Sequence, residues 1–359
     1  MMILGSLNLI HAERPGVAVT LTLKMGNGML ANLQALRALA AIAVVVFHFG
    51  LMPPTSLSFT SGAAGVDLFF VLSGFIIAYS SSRDAQHFLA RRFIRIVPAY
   101  WIATIIAALL TLQNMAWSDT TGWLFQSLFY LPGPQGRPAL IFVAWTLVYE
   151  LAFYLLYWLA LRAGPNRAPV VALILLLIIA SARLPNLPGP WPLFSEFAIG
   201  IGAYLITERF GPSRQLKGPA GLLMISAGLA LLPISPFLTG YGPDDYQSWG
   251  RAFTWGLPAG FIVMGAVIAE RSGVAVTNRV VLMLGAASYA IYLLHPIAVG
   301  QLLQLPPNAQ PASWLVCLGA TILIVALSVA FHLVVEAPML RMLRRFLGDR
   351  QQMQNEVFR

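Results

Sequence analysis

Leu33–Gly50 reads LQALRALAAIAVVVFHFG, an apolar run that carries one arginine, Arg37, and one histidine, His48. A stretch this long and this apolar spans the roughly 30 Å hydrocarbon layer of a bilayer as one helix. Arg37 and His48 are eleven residues apart, and eleven steps of about 100° return to within roughly 20° of the starting direction. The two side chains therefore share a face, about 16 Å apart along the axis. A permanent charge at the centre of a membrane helix costs about 2.5–3.5 kcal/mol on insertion scales, so it faces a bundle interior or a water-filled cavity. A cation and a candidate general base in one track predict a functional helix.

The rest of the chain extends this reading. Of 359 residues, 58% are hydrophobic and only 10% charged, against about 25% charged in an ordinary soluble domain. The composition predicts an all-α integral membrane protein, a bundle of about ten transmembrane helices. The apolar runs fall at about 33–51, 64–80, 97–113, 140–161, 168–184, 191–207, 218–236, 252–269, 280–302 and 313–335. Trp123–Leu131 is too short to cross and reads as an interfacial or re-entrant segment. The formal charge is +9, yet the basic residues stand singly between apolar runs and form no face, which excludes nucleic acid as the partner.

Charge placement gives an orientation. With the amino end inside, one side collects Arg14 and Lys24, Arg83 to Arg95, Arg162 and Arg167, Arg209 to Lys217, Arg271 and Arg279, and the basic carboxy-terminal residues. The other side keeps Arg137, Arg183 and Arg251. The positive-inside rule then puts both termini in the cytoplasm. Residues 1–31 read as a poorly ordered extension, with Met25 or Met29 as alternative starts and no signal peptide. Residues 32–340 form the transmembrane domain, and 341–359 a basic cytoplasmic tail that faces anionic lipid. The single cysteine, Cys317, has no partner for a disulfide or a multi-cysteine metal site.

Four further motifs accompany the first helix: GVDLFFVLSGF at Gly65–Phe75, RRFIRIVPAYW at Arg91–Trp101, WTLVYELAFYLLYW at Trp145–Trp158 and SYAIYLLHP at Ser288–Pro296. In this order, over residues 32–345, the chain resembles the acyltransferase family 3, bacterial integral-membrane O-acyltransferases that include exopolysaccharide and O-antigen acetyltransferases. The resemblance implies a multi-pass protein of the bacterial inner membrane. It also implies acyl transfer, commonly acetyl from cytoplasmic acetyl-CoA, to a hydroxyl of an extracytoplasmic or lipid-linked glycan. One departure stands out: the family often opens its first motif with an acid and a glycine, where this chain has Gln34–Ala35.

Transfer from a thioester to a hydroxyl requires removal of a proton and stabilisation of an oxyanion. An imidazole suits the first task, so His48 is the candidate base, or alternatively the covalent carrier of the acyl group. Arg37 is the candidate for holding the phosphate or another polar part of CoA, because its planar fork grips oxygen anions and stays charged. Its bland alternative is an ion pair with Glu150. Arg91, Arg92 and Arg95 extend the CoA site or anchor the cytoplasmic face. Asp67 either orients His48, as a carboxylate does in hydrolase triads, or caps its helix.

Glu150 is a partner for Arg37 or an acid/base near the acceptor, or else a protonated core carboxyl. Its neighbours Trp145 and Tyr149 form a sugar-stacking wall or fill core volume. Ser73 lines a pocket or, with Gly74, permits close helix packing. His295 either hydrogen-bonds the acceptor and supports the site or serves the core, and Glu196 stands equally between a site and a structural role. No metal is required. The competing functions are a transporter or flippase of a lipid-linked sugar, and a non-catalytic subunit of a polysaccharide assembly complex. Oligomeric state, a homo-oligomer included, is not legible in the sequence.

Overall fold

The computed structural model describes residues 30–50, 59–111, 117–131, 136–182, 191–209, 218–246, 248–303 and 314–347. The extension 1–29, Arg183, Arg214, Lys217, and the tail beyond 347 lie outside these. The described residues are helical, with turns and loops between. In chain order the helices are α1 (Ala31–Gly50), α2 (Ala64–Ser81), α3 (Phe88–Thr111), α4 (Trp117–Leu128), α5 (Trp145–Ala160), α6 (Ala168–Ser181) and α7 (Phe194–Arg209). They continue with α8 (Gly218–Thr239), α9 (Trp249–Arg251), α10 (Leu257–Arg271), α11 (Arg279–Ala286), α12 (Ser288–Leu303), α13 (Trp314–Phe331) and α14 (Ala337–Phe346).

Every apolar run singled out in the sequence contains a helix, but not all are built to cross alone. Among the described residues, 7 helices are long and apolar enough to span a membrane, which makes this a multi-pass membrane protein. α6 and α7 are shorter, with 14 and 16 residues. The run expected at 280–302 is not straight, since α11 and α12 meet at Ala287 with a bend of 66°. α3 begins nine residues before its expected start, because Arg91, Arg92 and Arg95 are good helix formers that carry the helix back to Phe88. Pro98 sits inside it without ending it. α4 holds 12 residues, about 18 Å, and is too short to cross.

At the far end, α13 passes through a π-helical turn at His332–Glu336 into α14, which carries the first basic residues of the tail, Arg341, Arg344 and Arg345. His332 Nδ1 faces Glu336 Oε2 at 2.8 Å across that turn.

α2 and the run Trp249–Arg271 are central, each 72% buried, whereas α8 and the α13–α14 run are 17% buried and turn most of their apolar surface outward. Lipid is as apolar as a leucine side chain, so helix association in this core relies on close packing. α2 crosses α7 at Gly74 and Gly200, where an added Cβ would stand 2.2 Å from Phe197 O and 2.1 Å from Val71 O respectively. Only glycine permits that approach.

The start of α1 is fixed from α10. Glu270 accepts from the backbone amides of Ala31 and Asn32, both at 2.8 Å, a carboxylate placed where the helix dipole favours one. Asn32 completes the joint by donating to Ala266 O and Val274 O and accepting from Val276 N. The acid missing from position 34 is thus absent at a helix start that already has one, supplied from another helix.

Candidate active site

α1 is unbroken from Ala31 to Gly50, so Arg37 and His48 keep their common face. At the Arg37 end, helices α1, α2, α3, α5 and α12 enclose a cavity of about 810 Å³ of empty space, its mouth included. Arg37, Ser73, Arg92, Arg95, Glu150 and Tyr154 line it, with Thr146, Tyr289 and Tyr292. Five side chains that the sequence nominated separately are therefore brought together.

The polar contacts in the cavity are unequally shared. Glu150 Oε1 accepts from Ser73 Oγ at 3.3 Å and from the Tyr154 hydroxyl. Arg92 Nη2 donates to Ser80 Oγ at 2.8 Å, while its Nε is buried and unpartnered. Arg37 and Arg95 make no hydrogen bond or ion pair with any described residue. Arg95 repels Arg37, while Glu336, outside the lining, and Glu150 attract it only through space. Three guanidiniums against one lining carboxylate leave a cavity with surplus positive charge and free donors. Such a desolvated excess is stabilised by an anion that enters it.

His48 lies beyond the lining, paired with His295. Its Nδ1 is 2.9 Å from Val44 O and 3.2 Å from His295 Nε2, and His295 Nδ1 is 3.2 Å from Ile291 O. A carbonyl only accepts, so both Nδ1 atoms carry hydrogen. His295 Nε2 is then an acceptor for the His48 Nδ1 proton. Hydrogen-bond bookkeeping thereby leaves the lone pair on His48 Nε2 free. Phe47 and Phe142 hold the ring edge-on, with centroids at 5.0 and 5.1 Å.

Asp67, expected either to orient His48 or to cap its helix, makes no described hydrogen bond to His48 and does not cap α2, whose N-cap is Ala63; the side chain within hydrogen-bond distance of His48 Nδ1 is His295. Asp67 Oδ2 instead accepts from Arg251 Nη2 at 2.8 Å, with both side chains sealed from solvent. Glu196 is fully buried near Asp67, with both its carboxyl oxygens unpartnered among the described residues. Arg251 also donates to Gly242 O and Pro243 O and lies over the rings of Tyr246 and Trp255. This cluster joins α2, α7 and the end of α9 and fastens the loop before α9.

Trp145 and Tyr149 stand outside the cavity lining. Trp145 packs edge-on against Tyr246 at 4.8 Å, and Tyr149 against Phe194 at 5.4 Å. Arg91 is also outside the lining; it pairs with Asp84 at 2.5 Å. Partial burial raises the Asp84 carboxyl, but the bond from Arg91 and its charge outweigh that and hold it below the ordinary aspartate value.

Sequence reasoning missed Arg251, Tyr289 and Tyr292. The signal for the tyrosines was present, since 289, 292 and 295 recur every three residues and share a helix face. Nothing local marks Arg251, whose partners are distant in sequence. His87 sits in a turn with φ 51 and is not among the cavity's lining residues, and His11 lies outside the described residues. Among the described residues no three His, Cys, Asp or Glu side chains gather as a metal site.

A membrane helix bundle with a cationic cavity and a histidine of defined tautomer is the framework of a membrane-bound group transferase. The chain belongs to the acyltransferase family: the Acyltransferase domain matches residues 30–333. It is 30% identical over 306 residues to the exopolysaccharide production protein ExoZ of Rhizobium meliloti, covering 79% of this chain and 91% of that one. It is 24% identical to a putative peptidoglycan O-acetyltransferase, YrhL, of Bacillus subtilis, covering 84% of this chain and 54% of that one. It is 25% identical to the acyltransferase MdmB of Streptomyces mycarofaciens, covering 88% and 93%. No solved structure matches the chain. The protein is a transferase acting on hydroxyls.

Proposed function

We propose that this protein moves an acetyl group from cytoplasmic acetyl-CoA to a hydroxyl of an exopolysaccharide or related envelope glycan. The observation that carries the reading is the pair of unpartnered guanidiniums, Arg37 and Arg95, in a cavity on the same face of α1 as the free Nε2 of His48. The donor is an anionic thioester, and free guanidinium forks suit its phosphates. Arg37 and Arg95 hold that anion. His48 Nε2 removes the proton of the acceptor hydroxyl, whose oxygen attacks the thioester carbonyl. The C–S bond breaks as the ester C–O bond forms, and the proton on His48 passes to the departing thiolate. His295 steadies the imidazolium between the two transfers, as a neutral acceptor for Nδ1–H.

The acceptor approaches the aromatic side, where Trp145, Tyr149 and Tyr246 offer ring edges and faces. In this reading the chain crosses the bacterial inner membrane ten times, α6, α7 and the bent α11–α12 pair included. Both termini are cytoplasmic, as the arginine and lysine partition supports.

The test is thiol release from acetyl-CoA by the purified protein, with and without glycan fragments. His48→Ala should lose acceptor-dependent release by about a hundredfold or more, while acetyl-CoA still protects the variant against heat. Acceptor-dependent release that survives at the wild-type rate would defeat the proposal.

A further inference from the structure

Tyr292 is the lining residue of the Arg37 cavity that also packs against His295, the partner of His48. Tyr292 lines the cavity, yet its ring centroid is 5.7 Å from that of His295. Its edge meets Phe69, another wall of the cavity, at 5.9 Å. The residue is 7% exposed, so the ring is buried between the cavity and His295 and does not lie at a surface.

Its position is held at the hydroxyl. Tyr292 OH is 2.8 Å from Thr146 Oγ1 and donates to Val143 O at 3.3 Å. Thr146 Oγ1 is itself 2.9 Å from Val143 O. Phe142, next in sequence, has its ring centroid 5.1 Å from that of His48. The turn that anchors the phenol is therefore also the turn that walls the catalytic imidazole. The ring cannot turn aside without leaving buried polar partners unpaired.

Building on the acyl-transfer reading above, we propose that Tyr292, tethered by Thr146, determines acyl size. A thioester held at the arginine end must present its carbonyl to His48 past the edge of this ring. An acetyl group needs little room there. A chain of four or more carbons requires the volume the phenol fills. The site therefore selects short acyl groups by steric exclusion at one residue, and smaller side chains at position 292 admit longer donors.

The experiment compares acetyl-, butyryl- and hexanoyl-CoA on the full-length protein in detergent, measuring acceptor-dependent thiol release as kcat/KM. Wild type should favour acetyl over hexanoyl by at least about tenfold, the range that a methylene or more is worth in a shaped apolar pocket. Tyr292→Ala should bring the ratio within about threefold. Thr146→Val, which keeps the ring and removes its tether, should move it part of the way. The ratio is read because partial loss of folded protein lowers every rate equally. If Tyr292→Ala yields no folded protein, Tyr292→Leu replaces it, with the same direction expected. An unchanged ratio in folded variants, or a wild type that uses hexanoyl-CoA as well as acetyl-CoA, would overturn the assignment. A wild type that releases thiol from no donor is a different result, and removes the acyl-transfer reading along with it.

Discussion

Two buried charge clusters lie within this bundle, and they are built in opposite ways. Around Arg37 the cations outnumber the lining carboxylate, two guanidiniums lack partners and a cavity adjoins them. Around Arg251 the pair is sealed: Asp67 is 0% exposed and Arg251 1%, and the ion pair is supported by backbone carbonyls and two aromatic faces, while Asp67 Oδ1, Arg251 Nε and both Glu196 oxygens are buried without a partner among the described residues. The first cluster is unbalanced and adjoins space that a ligand can fill. The second is closed and ties helices together. Neither burial nor a missing partner distinguishes a site from a strut; adjoining space lined by free donors does.

The contrast is broken most severely at the strut. Arg251→Ala leaves two buried carboxyl groups without their cation and should cost about 3–5 kcal/mol, seen as a large fall in melting temperature in detergent. Adding Asp67→Asn should recover part of that loss, since the partners are coupled. Arg37→Ala should show the reverse pattern: melting unchanged or raised, and acceptor-dependent thiol release lowered by roughly a hundredfold. If Arg37→Ala destabilised the protein as strongly as Arg251→Ala, the distinction between the clusters would disappear.

The scaffold beneath both clusters offers a middle-sized test. Gly74→Ala places a methyl 2.2 Å from Phe197 O, which must separate α2 from α7 and should cost about 1–3 kcal/mol. Both activity and melting temperature should decline together, unlike in either charge variant.

The smallest effect belongs to the surface pair. Asp84 has its carboxyl held low by Arg91, so its contribution to stability is complete above the ordinary aspartate value of about 3.9. That contribution fades as pH falls through the lowered value. Arg91→Ala should flatten this acid dependence, shift stability by under about 1 kcal/mol and leave thiol release within about twofold. A strong loss of release would place Arg91 in the donor site after all.

Much of the architecture was legible before any coordinates. The apolar runs marked where helices lie, because a backbone in hydrocarbon must satisfy its own hydrogen bonds. The eleven-residue spacing on α1 aligned Arg37 with His48, because helical geometry is periodic. Local pattern was less informative where a segment's length depends on its neighbours. The bend at Ala287, the helical continuation past Glu336 and the early start of α3 each depend on packing or on residues that a hydropathy window reads as loop.

Asp67 shows the limit most clearly. Its motif suggested a partner for His48 or a helix cap, yet Arg251, 184 residues away, pairs with it, and His295, 247 residues from His48, is the side chain that meets the imidazole. The residue types alone fixed that membrane helices would form, that Arg37 could not face lipid and that an imidazole stood on its track. Which partner each charge would find, which cations would be left unpaired and which ring would touch both the cavity and His295 were decided by tertiary packing. Helix periodicity acts over a few residues, whereas hydrogen bonds and close contacts between helices join positions whose separation along the chain carries no signal.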